Sequence, residues 1–180
     1  RPVIVSAVSW LSIQSIFLTL LLVVNNPLSS MVILKSLLIV DNLTTFIKVV
    51  LLLSCLSCIL ISLDFLKHEK LNAFEYTILM LLATLGMLLM VSSYDFLSMY
   101  LAIDLQSLCI YVMAAFQRNS EFSTEAGLKY FILGAFASGI LLFGCSMVYG
   151  FTGTTNFGEL AKILTGIGTT SIITSSGILI

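Results

Sequence analysis

Apolar residues in this chain come in runs of about 20, separated by short polar breaks, the length a helix needs to cross ~30 Å of hydrocarbon at ~1.5 Å per residue. Read this way, the pattern predicts spans over Val3–Val24, Leu43–Leu63, Tyr76–Ser93, Phe96–Gln117 and residues 125–149. Asn25-Asn26-Pro27 closes the first run, as expected of a strong turn signal. Leu28–Val40 is too short to span and is interrupted by Lys35, so it reads as an interfacial segment or a hairpin-like crossing of the headgroup region. Asp64–Glu75, with Lys67, His68, Glu69 and Lys70, is the most polar stretch and reads as a solvated loop. Arg118–Thr124 reads as a polar turn, with Ser123 the expected N-cap of the fifth span and Glu125 in its first turn. Gly150–Leu164 reads as a Gly/Thr loop followed by a short amphipathic piece from Phe157. Thr165–Ile180 reads as the approach to a sixth span. The expected fold is therefore all-α, a single polytopic transmembrane helix bundle over residues 1–180.

Composition agrees. Of 180 residues, 59% are hydrophobic and 9% charged, and the mean hydropathy is +1.13. A soluble domain carries roughly 25% charged residues, so this chain cannot present an ordinary wetted surface. Its net charge of -1 leaves no basic face for nucleic acid and no polybasic tether to a membrane surface. The first residue is Arg1 and the last, Ile180, falls inside an apolar run, so the chain is expected to be part of a longer polypeptide. No signal peptide is expected in Val3–Val24, which is too long for an h-region and lacks a small-residue cleavage site. With alternating spans, Arg1, Lys67, Lys70 and Arg118 share one face and Lys35 and Lys162 the other, which puts the Arg1 side inside.

Of the charges within predicted spans, Lys48 sits about one turn into the second, close enough to snorkel, and Glu125 opens the fifth; Asp104 and Lys129 carry the candidate chemistry. Asp104 lies near the middle of the fourth, where a carboxylate costs at least ~2.5–3.5 kcal/mol, and such residues commonly mark ion pathways. A carboxyl poised between desolvation and a nearby cation can exchange protons near neutral pH; the bland alternative is a hydrogen bond to a neighbouring helix. Lys129 lies on the next, antiparallel helix, ~12 Å from Asp104 along the axis. Water or a third group must then connect the two, unless Lys129 snorkels to the interface. Ser107 and Tyr111, at i+3 and i+7 from Asp104, share its face and could line a hydrated path, or serve as packing. Gly134/Ser138 and Ala135/Gly139 are small-xxx-small pairs, which predict a fifth span buried among other helices. Cys55 and Cys58 form a C-x-x-C inside an apolar run without a second pair, too few ligands for a metal. There is no Gly-rich phosphate loop, dinucleotide fingerprint or nucleophile motif, so no cofactor is expected on the chain itself.

The stretches Tyr100–Leu108 (YLAIDLQSL) and Ser120–Gly144 (SEFSTEAGLKYFILGAFASGILLFG) closely resemble the antiporter-like subunit 2 family of respiratory complex I, whose bacterial form is subunit N. Plant and protist versions look nearest, and the strong resemblance runs from roughly Leu63 to Gly177. It implies a membrane-arm subunit of the mitochondrial inner membrane, part of a fold of two inverted five-helix repeats with broken helices. It implies proton translocation coupled to electron transfer from NADH to ubiquinone. FMN and iron–sulfur clusters would sit on other subunits, and neighbouring antiporter-like subunits would be partners. Asp104 takes the position of the family's fifth-helix Glu, one methylene shorter, and Lys129 matches a lysine on the following helix. A further lysine, on a broken seventh helix, would lie beyond Ile180, so the chain corresponds to helices two to six and lacks the C-terminal half. The competing expectations are a subunit of a multi-subunit cation/proton antiporter, with similar chemistry and no NADH-linked partner, and a purely structural membrane scaffold.

Overall fold

A computed structural model describes residues 2–25, 31–34, 36–68 and 74–165. Among the described residues, five helices are long and apolar enough to cross a membrane: α1 (Pro2–Val24), α2 (Asn42–His68), α3 (Phe74–Ser92), α4 (Phe96–Ala114) and α5 (Glu121–Thr152). A short sixth, α6 (Phe157–Leu164), follows α5. The expected approach to a further span, 165–180, lies outside the described residues from 166 on.

Several boundaries differ from the pattern reading. Leu28–Val40 contains a two-stranded antiparallel hairpin, β1 (Met31–Ile33) and β2 (Leu38–Val40), the one departure from an all-α fold among the described residues. Its turn carries two left-handed non-glycine residues, Leu34 and Ser36. The hairpin does not cross the bundle. The Tyr94 N–H donates to the Leu37 carbonyl at 2.9 Å, and Asn156 Nδ2 donates to the Ser36 carbonyl at 3.1 Å, so the hairpin caps the end where α3 turns into α4. α2 extends to His68, into the stretch expected to be loop, because Leu66 continues the buried stripe to 4% exposure. α5 begins at Glu121 behind Ser120, whose side chain accepts from the Ser123 N–H. Ser123 is not the cap because its hydroxyl donates to the Ala114 carbonyl at 2.9 Å, tying α5 to the end of α4. At its other end α5 stops at Gly153, in the left-handed conformation that suits glycine.

The apolar core lies among α1, α2 and α3, around Ile16, Leu52, Cys55 and Ile59. Cys55 faces this core whereas Cys58 is exposed, so the two thiols do not converge. α4 packs between α3 and α5, and it meets them with different faces. Ala102 and Gln106 lie against Gly86 of α3, and Cys109 is buried on the same stripe. Residues two apart are turned ~200° around a helix axis, so Asp104 points away from α3, towards α5. α5 is covered along one stripe only, with Gly127 buried and Gly134, Ser138, Leu141, Cys145 and Val148 half-buried. Phe136, Phe143 and Leu133 stay about 70% exposed on its other faces. Among the described residues, Gly134 and Ser138 serve one close neighbour, α4.

That packing yields a stability prediction. A Cβ at Gly86 would come within 2.9 Å of the Gln106 nitrogen, and one at Gly127 would meet Cα and Cβ of Ala115. Neither neighbour is a flexible side-chain tip, so Gly86→Ala and Gly127→Ala should each destabilise by about 1–3 kcal/mol. The check is the thermal midpoint of the detergent-solubilised protein.

Candidate functional site

The site is the α4–α5 seam around Asp104. α4 is started by Asp95, whose side chain accepts from the Leu97 N–H at 3.1 Å and which is itself 5% exposed. The same turn is tied to the chain after α5: Phe96 N–H donates to the Thr155 carbonyl (3.0 Å) and Phe157 N–H to the Tyr94 carbonyl (3.1 Å). Asn156 joins this knot and caps α6, accepting from the Gly158 and Glu159 N–H groups. Both ends of the α4–α5 pair are therefore fixed, one by these backbone bonds and the other by Ser123 on Ala114. Tyr100, Asp104, Ser107 and Tyr111 fall at i, i+4, i+7 and i+11, one stripe of α4, and that stripe faces α5.

Asp104 is half-buried. Its Oδ1 accepts a hydrogen bond of 2.9 Å from the Ser138 hydroxyl, and Ser138 Oγ lies 2.8 Å from the Tyr100 hydroxyl. A serine hydroxyl has a single hydrogen. With the Ser138 proton on Asp104, Tyr100 must be the donor of the second bond. Beside these groups is a cavity of about 310 Å³, lined by Asp104, Ser107, Tyr111, Phe131, Gly134 and Ser138 among others. At ~30 Å³ per molecule of liquid water it has room for several. Ser107 and Tyr111, expected from spacing to share the acid's face, line this cavity with it. Gly134 leaves the space the Tyr111 phenol occupies, and Phe131 meets the Tyr111 ring edge-on at 6.1 Å.

Lys129 is not brought to Asp104. Its ammonium pairs with Glu125 at 2.6 Å, one turn back along α5, and both side chains are more than half exposed. Nine residues separate Lys129 from Ser138, roughly 13 Å of helix, and the cavity lies along that stretch. Lys129 is thus paired rather than lone. The Glu-x-x-x-Lys spacing that produces the pair was present in the sequence, where Glu125 was assigned only to the helix dipole. The residues that bind Asp104, Ser138 and Tyr100, were missed as partners. Tyr100 at i−4 is visible by period, but which residue of α5 comes opposite Asp104 depends on how two helices are set against each other.

Comparison with known proteins adds four results. Residues 93–180, which include α4, α5 and α6, match the family described as "NADH:quinone oxidoreductase/Mrp antiporter, TM". The chain is 60% identical over 166 residues to NADH-ubiquinone oxidoreductase chain 2 of Marchantia polymorpha, covering 92% of this chain and 34% of that one. It is 50% identical over 131 residues to NADH-quinone oxidoreductase subunit N of Parvibaculum lavamentivorans, covering 73% of this chain and 27% of that one. Among solved structures it resembles a chain of respiratory complex I from Thermus thermophilus, with a TM-score of 0.67 and 28% identity, over 84% of this chain and 33% of that one. The chain spans about a third of the length of the curated relatives it matches.

The seam's geometry makes a prediction of its own. A Cβ at Gly134 would meet the Tyr111 hydroxyl and the ring carbons beside it, the far end of a rotatable side chain. Gly134→Ala should turn that phenol aside at a cost of about 0.5–1.5 kcal/mol, less than that of Gly86→Ala. Equal losses in thermal midpoint for the two variants would contradict the seam described here.

Proposed function

Because this chain belongs to the family of NADH-ubiquinone oxidoreductase chain 2 and bacterial subunit N, we propose that it is a membrane-arm subunit of respiratory complex I in the mitochondrial inner membrane, taking part in proton translocation. NADH oxidation, FMN, the iron–sulfur clusters and ubiquinone reduction belong in this reading to partner subunits. Neighbouring antiporter-like subunits and the C-terminal part of the same subunit complete the path. The face carrying Arg118 is the matrix side, since basic residues concentrate on the inner face.

The observation that carries the reading is Asp104, an acid midway along α4, held by the Ser138 hydroxyl and open to a cavity lined in part by polar side chains. A charged carboxylate in hydrocarbon has to recover the hydrogen bonds it had in water. Ser138 supplies one, and the cavity has room for water to supply the rest. The acid can then exist with and without its proton, which is what carrying protons requires. Lys129 acts on it through space. Water in the Ser107–Tyr111 cavity is the conducting element between them. A change in the field at Lys129, set by its competition between Glu125 and groups elsewhere in the assembled subunit, is then felt at Asp104.

Asp104→Asn keeps size and hydrogen bonding but cannot carry a proton. The variant should assemble normally and lower proton pumping at least ~10-fold, within the range by which positioned acids and bases act. Pumping is measured as protons moved per NADH oxidised in sealed vesicles, with assembly followed on native gels. Normal pumping would remove Asp104 from the path. The same gels separate this reading from a cation/proton antiporter subunit, since co-migration with NADH-oxidising activity is expected only for the first.

A further inference from the structure

We propose that Ser138 is the positioning residue for Asp104, and that Tyr100–Ser138–Asp104 is a hydroxyl chain that holds the acid in the same place in both of its protonation states. The inference rests on the proton-carrying role of Asp104 proposed above and names the groups through which that role is exerted.

The three oxygens are connected by bonds of 2.8 and 2.9 Å, from two helices and from opposite sides of the seam. When Asp104 is ionised it can only accept, so the bonds run Tyr100 to Ser138 to Asp104. When Asp104 is protonated its O–H can donate to Ser138, whose own proton then turns to the Tyr100 oxygen. Both hydroxyls can donate and accept, so the chain reverses without any heavy atom moving and keeps both of its bonds, the Tyr100 O–H turning towards the cavity when Asp104 is protonated. A carboxylate beside water alone would be free to turn away when neutral. The i−4 position of Tyr100 and the seam position of Ser138 place both partners on fixed backbone. Ser138 is half-buried, although α5 is largely bare elsewhere.

A hydroxyl bonded to a carboxyl interacts differently with its two protonation states, so removing it should change the pH profile of pumping. The groups packed around Asp104 that could confuse this are few. Tyr100 and Tyr111 come from its own helix, α5 contributes Ser138, and the only charged residue of α3 is Glu75, in that helix's first turn. Lys129 and Glu125 lie further along α5 and face each other.

The test uses the whole complex in sealed vesicles, comparing Ser138→Ala, Ser138→Thr and Tyr100→Phe with Asp104→Asn. In Ser138→Ala the pH of half-maximal pumping should move away from the wild-type value by about one unit or more, the effect of a lost charge-assisted hydrogen bond. Ser138→Thr, which keeps the hydroxyl, should restore the original midpoint, and Tyr100→Phe should move it in the same direction by less. A wild-type pH profile in Ser138→Ala, with Asp104→Asn still defective, would overturn the proposal and leave the role of Asp104 intact. Normal pumping in Asp104→Asn would instead strike at the role itself. Should Ser138→Ala fail to assemble, Tyr100→Phe, which removes one oxygen and keeps the ring, decides the matter: an unshifted midpoint refutes the chain.

Discussion

The structure is organised around the need to keep a carboxyl group in the middle of a membrane-spanning helix. Water cannot reach it freely there, and each hydrogen bond it lacks costs kilocalories. The observed solution is local. One hydroxyl from the adjacent helix bonds the acid, a second stands behind the first, and a cavity opens beside them. For that hydroxyl to reach Asp104, α5 must come close to α4, and close approach of helices in hydrocarbon requires small residues. Gly127 and Gly134 provide it on one side of α4, and Gly86 and Ala102 let α3 in on the other. Glycine placement and acid placement are thus parts of one requirement.

Much of this was legible in the sequence, and the part that was not has a common cause. Span identity follows from run length because hydrocarbon thickness admits few alternatives, and the stripe of Tyr100, Asp104, Ser107 and Tyr111 follows from helical period. The boundaries were harder. Ser123 has the right residue type and place for a cap, but tertiary contact took its hydroxyl to Ala114. Polar residues after Leu63 suggested a loop, yet α2 continues because Leu66 still finds buried surface. Leu28–Val40 gave too short a run for a span and too little alternation for a strand reading, and its hairpin depends on partners from the α3–α4 turn and from Asn156. The pairing of Asp104 with Ser138 rather than Lys129 depends on helix register, which no single run of sequence contains.

Of the small-residue pairs of α5, Gly134 and Ser138 bring α4 close. Phe136, Phe143 and Leu133 remain uncovered around the rest of α5, large apolar groups suited to lipid or to further polypeptide.

The knot at the start of α4 has a mechanical consequence. Two backbone bonds join Tyr94 and Phe96 to the segment after α5, and Ser123 ties the opposite ends together. A pair of rods pinned at both ends cannot work as a piston. Sliding one past the other by even a single turn would break every tie at once. Whatever changes at this seam therefore has to change against a stationary frame, in the side chains and the contents of the cavity between two rods that act as a stator.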